Sequence, residues 1–540
     1  PRRARPVRGL AGPVAPHRRT PGPAGLRPPV PALRPAREKL PDAHRQQRRG
    51  RRGPGPGGPG HGLAQGRAVR PGAGRGVDLG VHRELDAVED DVIETNTFGA
   101  NWANLAEYGI EDRIYELAFA GAKIAREIAD QFSTQEKPRW VLGSLGPGTK
   151  LPTLGHTTYE KLKDAYLTAS NGLIEGGADA LLIETTQDLL QAKAAVNGAR
   201  AAIDKSKKDI VLIAQVTVET TGTMLMGSEI GAALNALEPL GIDLIGLNCA
   251  TGPAEMSEHL RVLSKGASVG ISVMPNAGLP ILGENGAHYP LSPNELAQSL
   301  KQFVNDYKVG LIGGCCGTTP AHMKEVVRVI DQMPITQRVV NREIGASSLY
   351  QFVPFRQQNT YLSIGERTNA NGSRAFRDAL LAEDWQTCVE IARDQIRDGA
   401  HMLDLSVDYV GRDGVADMSE LAFRFATTST LPIVLDSTEP AVLEAGLKQL
   451  GGRSVINSVN YEDGDGPSSR FARIMPLVVE HGAAVIALTI DELGQARDAE
   501  WKLRVARRLI ADLTTKWGMR VDDILIDCLT FPIATGQEET

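Results

Sequence analysis

ADALLIETT (178–186), DIVLIAQVTV (209–218) and DLIGLNCA (243–250) are three short apolar runs. Each closes on polar or small residues, and Ala-, Leu- and Lys-rich stretches of helical period separate them. Strands that are apolar on both faces belong to a parallel sheet covered by helices. Working outward, the same unit recurs upstream as DVIETNTF (91–98) and WVLGSLG (140–146). Downstream it recurs as GISVMPNAG (270–278) and VGLIGGCCG (309–317). Seven evenly spaced strand–helix units with no long crossover favour closure into a (β/α)8 TIM-type barrel over an open sheet. The eighth strand would precede Asp90, so this barrel, residues 88–333, lacks a recognisable strand 1.

Residues 334–358 show no periodicity, include Pro334 and Pro354, and read as a linker. A second series follows: TYLSIGERTN (360–369), AHMLDLSV (400–407), LPIVLDST (431–438), RSVINSVN (453–460), AAVIALTID (483–491) and DDILIDCLT (522–530). Six strands fall within residues 359–540, short of a full barrel of about 250 residues. The expected class is therefore α/β, two TIM-type barrels in tandem, the second incomplete after about strand 6. In both series the chemically interesting side chains stand at strand C-terminal ends, where barrels place their active sites.

The formal net charge of −6 conceals an asymmetry. Residues 1–80 hold 17 Arg and one Lys against Glu38, Asp42 and Asp78, so the rest of the chain is strongly acidic. An acidic body argues against a nucleic-acid partner, since phosphate recognition needs clustered cations. No apolar run approaches the ~18–20 residues of a membrane span, and no secretory signal is evident, which leads us to expect a soluble cytoplasmic protein without a membrane partner. The first 80 residues contain 15 of the 32 prolines and lack Ile, Met, Phe, Tyr, Trp, Ser, Asn and Cys, a composition that cannot build a core. A disordered basic tail and a transit peptide are two readings. A third, translation in a wrong frame of GC-rich DNA, suits the Pro/Arg/Gly/Ala bias best and would also account for the missing strand.

Five cysteines are too few and odd in number for a disulfide framework. Cys249 ends the strand of GLNCATGP, and Cys315 and Cys316 end that of IGGCCGTTP, two strand ends that barrel closure brings near each other. Three thiolates on one face, with a fourth position open, suit a catalytic Zn2+ that activates a thiol substrate. Three ordinary buried cysteines are the alternative. Gly313, Gly314 and Gly317 around the pair favour the metal, since they admit close backbone approach. Cys388, on a helical pattern, reads as core, and Cys528 as packing.

ETNTFGAN, GSLGP, the Asn248–Cys249 strand end and GGCCGTTP together resemble the homocysteine S-methyltransferase barrel. IGERTNANGSRAF, LDSTEP, VINSVN, IDELGQA and DCLTFPIATGQEE are similar to the methyltetrahydrofolate-binding barrel of cobalamin-dependent methionine synthases, and the two sets follow that family's order over roughly residues 88–540. The resemblance implies zinc held by Cys249, Cys315 and Cys316 on the homocysteine sulfur. It implies Glu184 as receiver of the substrate ammonium, with Thr95, Asn96 and Ser144 lining that pocket. A buried structural Glu184 and loop-capping roles for the other three are the alternatives. The family's Asp-Gly-Ala-Met-Gly-Thr-like turn, part of the homocysteine site, has no counterpart before Asp90.

For the second barrel the resemblance implies 5-methyltetrahydrofolate bound mainly by Asp436, Asn457 and Asp527, with Glu366, Asn371, Asp491 and Asp404 as further contacts. A ring of carboxylates and an amide complements the donors and carbonyl of a reduced pterin, although Asp residues at strand ends also cap helices. The implied activity is that of a methyltransferase: methyl transfer from 5-methyltetrahydrofolate through methylcobalamin to homocysteine, giving methionine and tetrahydrofolate. Departure of the methyl from N5 requires protonation there, which gives an acidic network a purpose. The cobalamin-binding module is the implied partner. Its Asp-x-His-x-x-Gly loop has only a partial match at Asp42–Gln47, so the chain is expected to supply the substrate-binding portion. Two alternatives stay open: a homocysteine methyltransferase fused to a methylenetetrahydrofolate reductase, which would need a flavin site, and a non-catalytic zinc- and folate-binding protein.

Overall fold

The computed structural model describes residues 90–530 apart from 284, 285, 332 and 335. The readings of residues 1–80, of the strand before Asp90 and of the chain beyond residue 530 lie outside them. The first half has seven parallel strands: β1 (Val92–Glu94), β2 (Trp140–Leu145), β3 (Ala180–Thr186), β4 (Val211–Val216), β5 (Leu244–Asn248), β6 (Gly270–Met274) and, after a small antiparallel hairpin of β7 (Ile281–Gly283) and β8 (Gly286–His288), β9 (Leu311–Ile312). The sheet order is β1-β2-β3-β4-β5-β6-β9, so each strand pairs with the next after one helical crossover.

Alternation along these strands creates two apolar layers. Ile93, Val141, Leu181, Ile183, Leu212 and Ile245 point outward and pack under the helices. Leu142, Leu182, Ile213 and Met274 point inward and fill the floor of the barrel. The crossover helices carry the signals that start and stop them. Asp188 caps helix Leu189–Ser206 through its carboxylate, Ser292 and Glu295 form a reciprocal capping box on helix Pro293–Tyr307, and Gly177 closes helix Tyr159–Gly176 in the left-handed region.

The second half repeats the plan with β12 (Ile364–Gly365), β13 (Met402–Leu405), β14 (Ile433–Asp436), β15 (Val455–Val459), β16 (Ala484–Leu488) and β19 (Ile524–Asp527), parallel and in that order. Its outer core includes Leu403, Leu405, Leu435, Ile456 and Val485, and its inner core Met402, Val434, Val455, Ala484 and Ile486. A short hairpin of β17 (Ile490–Asp491) and β18 (Gly494–Gln495) follows β16. The two parallel sheets with their helices agree with two tandem (β/α)8-type barrels. Among the described residues no helix is long and apolar enough to cross a membrane.

Part of the stretch expected to be a linker lies buried between the halves. β10 (Gly345–Ser347) and β11 (Phe352–Pro354) form an antiparallel hairpin between the halves. Ser347 exchanges hydrogen bonds with Arg453, Asn235 donates to the Gly345 carbonyl, and the Tyr350 hydroxyl donates to the Thr427 carbonyl. A three-residue strand is too short to print a period in the sequence, which is why it read as irregular. Cys388 is buried, as expected of core, whereas Cys528 is exposed rather than packed.

Candidate active site

In the first half Cys249 follows β5, and Cys315 and Cys316 follow β9. Their three sulfurs lie within 4.8 Å of one another, and no other group of three potential metal ligands that close occurs among the described residues. Cys249 Sγ is 3.7 Å from Cys316 Sγ, which is 3.9 Å from Cys315 Sγ. Tetrahedral zinc with Zn–S bonds of ~2.3 Å separates its thiolates by roughly 3.8 Å. The spacing and softness of this donor set fit zinc. The backbone supports the same end: Cys249 and Ala250 both adopt left-handed φ, 60° and 54°, a strained pair that turns the thiol into the mouth.

The electrostatics show what the cluster lacks. Hydrogen bonds from Cys249 and then Cys315 stabilise the Cys316 thiolate and lower its pKa to about 3, while Cys315 is pushed far upward by its contacts with Cys249 and Cys316 and by burial. Without a cation the three sulfurs cannot all ionise, and a divalent metal would remove that conflict. Tyr289 also acts to hold the Cys316 thiol down. Its ring lies over Gly317, where φ is +79° and an added Cβ would come 2.2 Å from Tyr289 Cγ, so only glycine fits.

Glu184, at the C-terminal end of β3, is 6% exposed. Ser144 Oγ donates to its Oε1 at 2.5 Å and Asn248 Nδ2 to its Oε2 at 3.2 Å. Asn248 precedes Cys249, so the residue that holds the carboxylate is the chain neighbour of a cluster thiol. Ser144 is thus brought to Glu184. Thr95 is buried and its hydroxyl meets Thr97 Oγ1 and accepts from the Ser144 backbone N–H, and Asn96 is exposed. Neither is brought to Glu184 or the thiols by a hydrogen bond. Asn248 and Tyr289 were not singled out from the sequence. Asn248 sits inside the quoted GLNCATG, where its side chain alternates inward, whereas nothing around Tyr289 marks it.

In the second half Asp404 pairs in register with Val434, and Asp436 with Asn457, so the inner faces of β13, β14 and β15 carry these three polar side chains above the inner core. Asn369, in the loop after β12, donates through one amide nitrogen to Asp404 Oδ2 at 2.8 Å and to Asp436 Oδ2 at 2.9 Å. Burial, opposed by hydrogen bonds from Asn369 and Asn457, raises the Asp404 pKa to about 6 and leaves Oδ1 buried without a partner. Burial and then the charge of Asp404 raise Asp436 to about 7. Glu366 is exposed nearby and its charge acts on both acids. Asn371 is exposed and donates its backbone N–H to Asn369 Oδ1. Asp527, at the end of β19, is exposed with one oxygen accepting from the Leu529 N–H.

Asp491 differs from the others. Its oxygens accept from the Trp501 indole N–H at 2.7 Å and the Leu493 N–H at 3.0 Å, which ties it to the helix Ala499–Thr515 and its own hairpin. Asn369 and Asp408, whose carboxylate accepts from Ser437 Oγ at 2.8 Å, are residues the sequence reading passed over.

Residues 79–330 match the homocysteine S-methyltransferase family model, and residues 365–540 match the model of pterin binding enzymes. Over 460 residues, 85% of the chain, the sequence is 62% identical to methionine synthase of Mycobacterium tuberculosis, and over 465 residues it is 61% identical to that of Mycobacterium leprae. The chain is a homologue of methionine synthase. It spans 39% of the length of each of these curated relatives. Among solved structures, the metallated homocysteine methyltransferase MmuM of Escherichia coli is similar over 46% of this chain and 82% of its own, at 20% identity and a TM-score of 0.38. In the methionine synthase homologue described here, the first family match ends where helix Pro320–Ile330 ends, and the second begins inside β12. The thiol cluster lies in the first and the Asp404–Asp436–Asn457 group in the second.

Proposed function

We propose that this chain is the substrate-binding portion of a methyltransferase that moves a methyl group from 5-methyltetrahydrofolate to homocysteine, forming methionine and tetrahydrofolate. The observation that carries the reading is the sulfur cluster of Cys249, Cys315 and Cys316, all within 4.8 Å, with two of its edges, 3.7 and 3.9 Å, suiting tetrahedral zinc. Zinc bound there would hold the homocysteine sulfur as a nucleophilic thiolate at neutral pH. Cobalamin, as methyl carrier, would be supplied by a module beyond this chain. Glu184 would receive the homocysteine ammonium, held in place by Ser144 and Asn248. In the second mouth Asp436, Asn457 and Asp527 would bind the pterin edge, with Asp404 and Asn369 setting the protonation and direction of Asp436. Glu366 and Asn371 would border the ligand.

Metal analysis tests the central claim. The chain is expected to carry one zinc, and Cys249→Ala, Cys315→Ala and Cys316→Ala are each expected to lose it. Stoichiometric zinc in all three variants would overturn the assignment.

A further inference from the structure

Asp408 lies in the loop after β13, yet its carboxylate serves the segment that leaves β14. The Ser437 hydroxyl donates to it, 2.8 Å from Oδ1 and 2.9 Å from Oδ2, and the Thr438 backbone N–H donates to Oδ2 at 3.2 Å. Ser437 is buried and held from two further directions. Its N–H donates to the Asn457 carbonyl, and its Oγ accepts from the Glu439 N–H at 3.1 Å. Ser437 directly follows Asp436, which pairs in register with Asn457. From the opposite side Asn369 donates to Asp436 Oδ2. One loop thus fixes the Asp436 side chain and another fixes the backbone leaving it, while Oδ1 of this half-buried acid takes no hydrogen bond among the described residues. A neutral amide at position 408 would also offer Ser437 an acceptor, so the negative charge is an addition to that anchor. Among the described residues no Lys, Arg or His pairs with Asp408, and Arg412 in the same loop is taken by Asp417 and Glu383.

We infer that Asp408 is a positioning residue for the pterin site, fixing through Ser437 and Thr438 where the Asp436 carboxylate stands to accept the N–H donors of the ligand. The inference rests on the reading of Asp436 as a pterin contact. An ionised Asp436 offers only acceptors to that edge, whereas a protonated one places a donor against donors. The charge of Asp408 bears on the same step. Burial first, then the charges of Asp404, Asp408 and Glu366, hold Asp436 up to about 7 against the Asn369 hydrogen bond. Asp408 therefore acts on Asp436 twice, by placing it and by opposing its ionisation, and the two effects separate by experiment.

The test is titration of the full chain with 5-methyltetrahydrofolate from about pH 5 to about pH 8, alongside thermal melting. Affinity of the parent is expected to rise through about pH 7, as Asp436 ionises. At the upper end Asp408→Ala and Ser437→Ala are each expected to weaken binding about tenfold, and the double variant no more than either alone, because the two side chains act as one unit. Asp408→Asn keeps an acceptor for Ser437 but loses the charge. It is expected to recover most of the affinity and to move the midpoint of the pH dependence below that of the parent. Losses that multiply in the double variant would overturn the proposal, as would a midpoint that Asp408→Asn leaves in place. An Asp408→Ala chain that melts lower yet binds like the parent would show a loop anchor and nothing more. Should Asp436→Asn weaken folate binding while Asp408→Ala does not, the pterin site stands and Asp408 falls. If Asp436→Asn binds like the parent at every pH, the reading of Asp436 fails and takes Asp408 with it.

Discussion

Asp404 and Asp436 reach one mouth from neighbouring strands, and burial, joined at Asp436 by the charge of Asp404, lifts them out of the usual carboxylate range to about 6 and about 7. The sign of the consequence is fixed by linkage. An acid whose pKa is higher folded than unfolded binds more protons when native, so stability falls as pH rises from about 4 through the folded values. Asp436→Asn removes one charge while keeping an oxygen that Asn369 can still contact. Its melting temperature is expected to exceed the parent's at pH 8, by about 2 °C or more per kcal/mol recovered, and to approach it near pH 5. An equal difference at both pH values would show that ionisation is not the cause. The same substitution, like Asn457→Ala and Asp527→Ala, is expected to weaken 5-methyltetrahydrofolate binding about tenfold in titrations, because a buried pterin cannot replace a lost directed hydrogen bond with water. Unchanged affinity in all three would remove the folate assignment. Asp404, Asp436 and Asn457 were legible as a group because strand alternation and strand ends are written in the sequence. Asn369 was not, since its bridge depends on where a loop returns. Asp491 was equally opaque: the Trp501 indole that occupies it comes from the next helix.

The hairpin of β10 and β11 shows what periodicity cannot convey. Strands β3 to β6 run five to seven residues and print their inward and outward faces, but β10 has three residues, all buried by contacts from both halves. Arg453 is the side chain around which those contacts gather. Only 2% exposed, it donates to the Gly345 and Gly482 carbonyls and to Asp523 Oδ1 at 2.8 Å. Burial acts to raise the Asp523 pKa, yet the Arg453 hydrogen bond and charge hold it below the ordinary value. Arg453→Met therefore leaves two carbonyls and a carboxylate short of a buried donor, a loss on the order of 3–5 kcal/mol. A drop of several degrees in melting temperature is expected, accompanied by faster proteolytic cleavage within residues 345–354. Cleavage and melting indistinguishable from the parent would show that the hairpin is held by packing alone.

Across the whole molecule, the two mouths stand over separate inner cores, Leu142, Leu182, Ile213 and Met274 in one half and Met402, Val434, Val455, Ala484 and Ile486 in the other. What joins the halves lies far from both mouths in bonding terms. Lys193 is fully buried and donates to the Leu450 and Gly452 carbonyls at 3.0 Å, Asn197 donates to the Glu480 carbonyl at 2.9 Å, and the Tyr159 ring meets His481 at 5.4 Å. Polar bonds of this kind fix the relative placement of two bodies, because each unmade one costs the desolvation of a buried group. They do not connect a thiol to Asp404 or Asp436. No hydrogen bond or ion pair among the described residues links Cys249, Cys315 or Cys316 to Asp404, Asp436 or Asn457. Among the described residues, then, no bonded path joins the two sites directly. Removal of zinc, by chelation or by Cys316→Ala, is expected to leave the affinity for 5-methyltetrahydrofolate within about twofold. Lys193→Ala is expected to act oppositely, giving two resolved thermal transitions, one for each half, while zinc remains bound. A folate affinity that falls about tenfold on zinc loss, measured by titration with the same preparation before and after chelation, would show that the seam transmits what happens at the thiols.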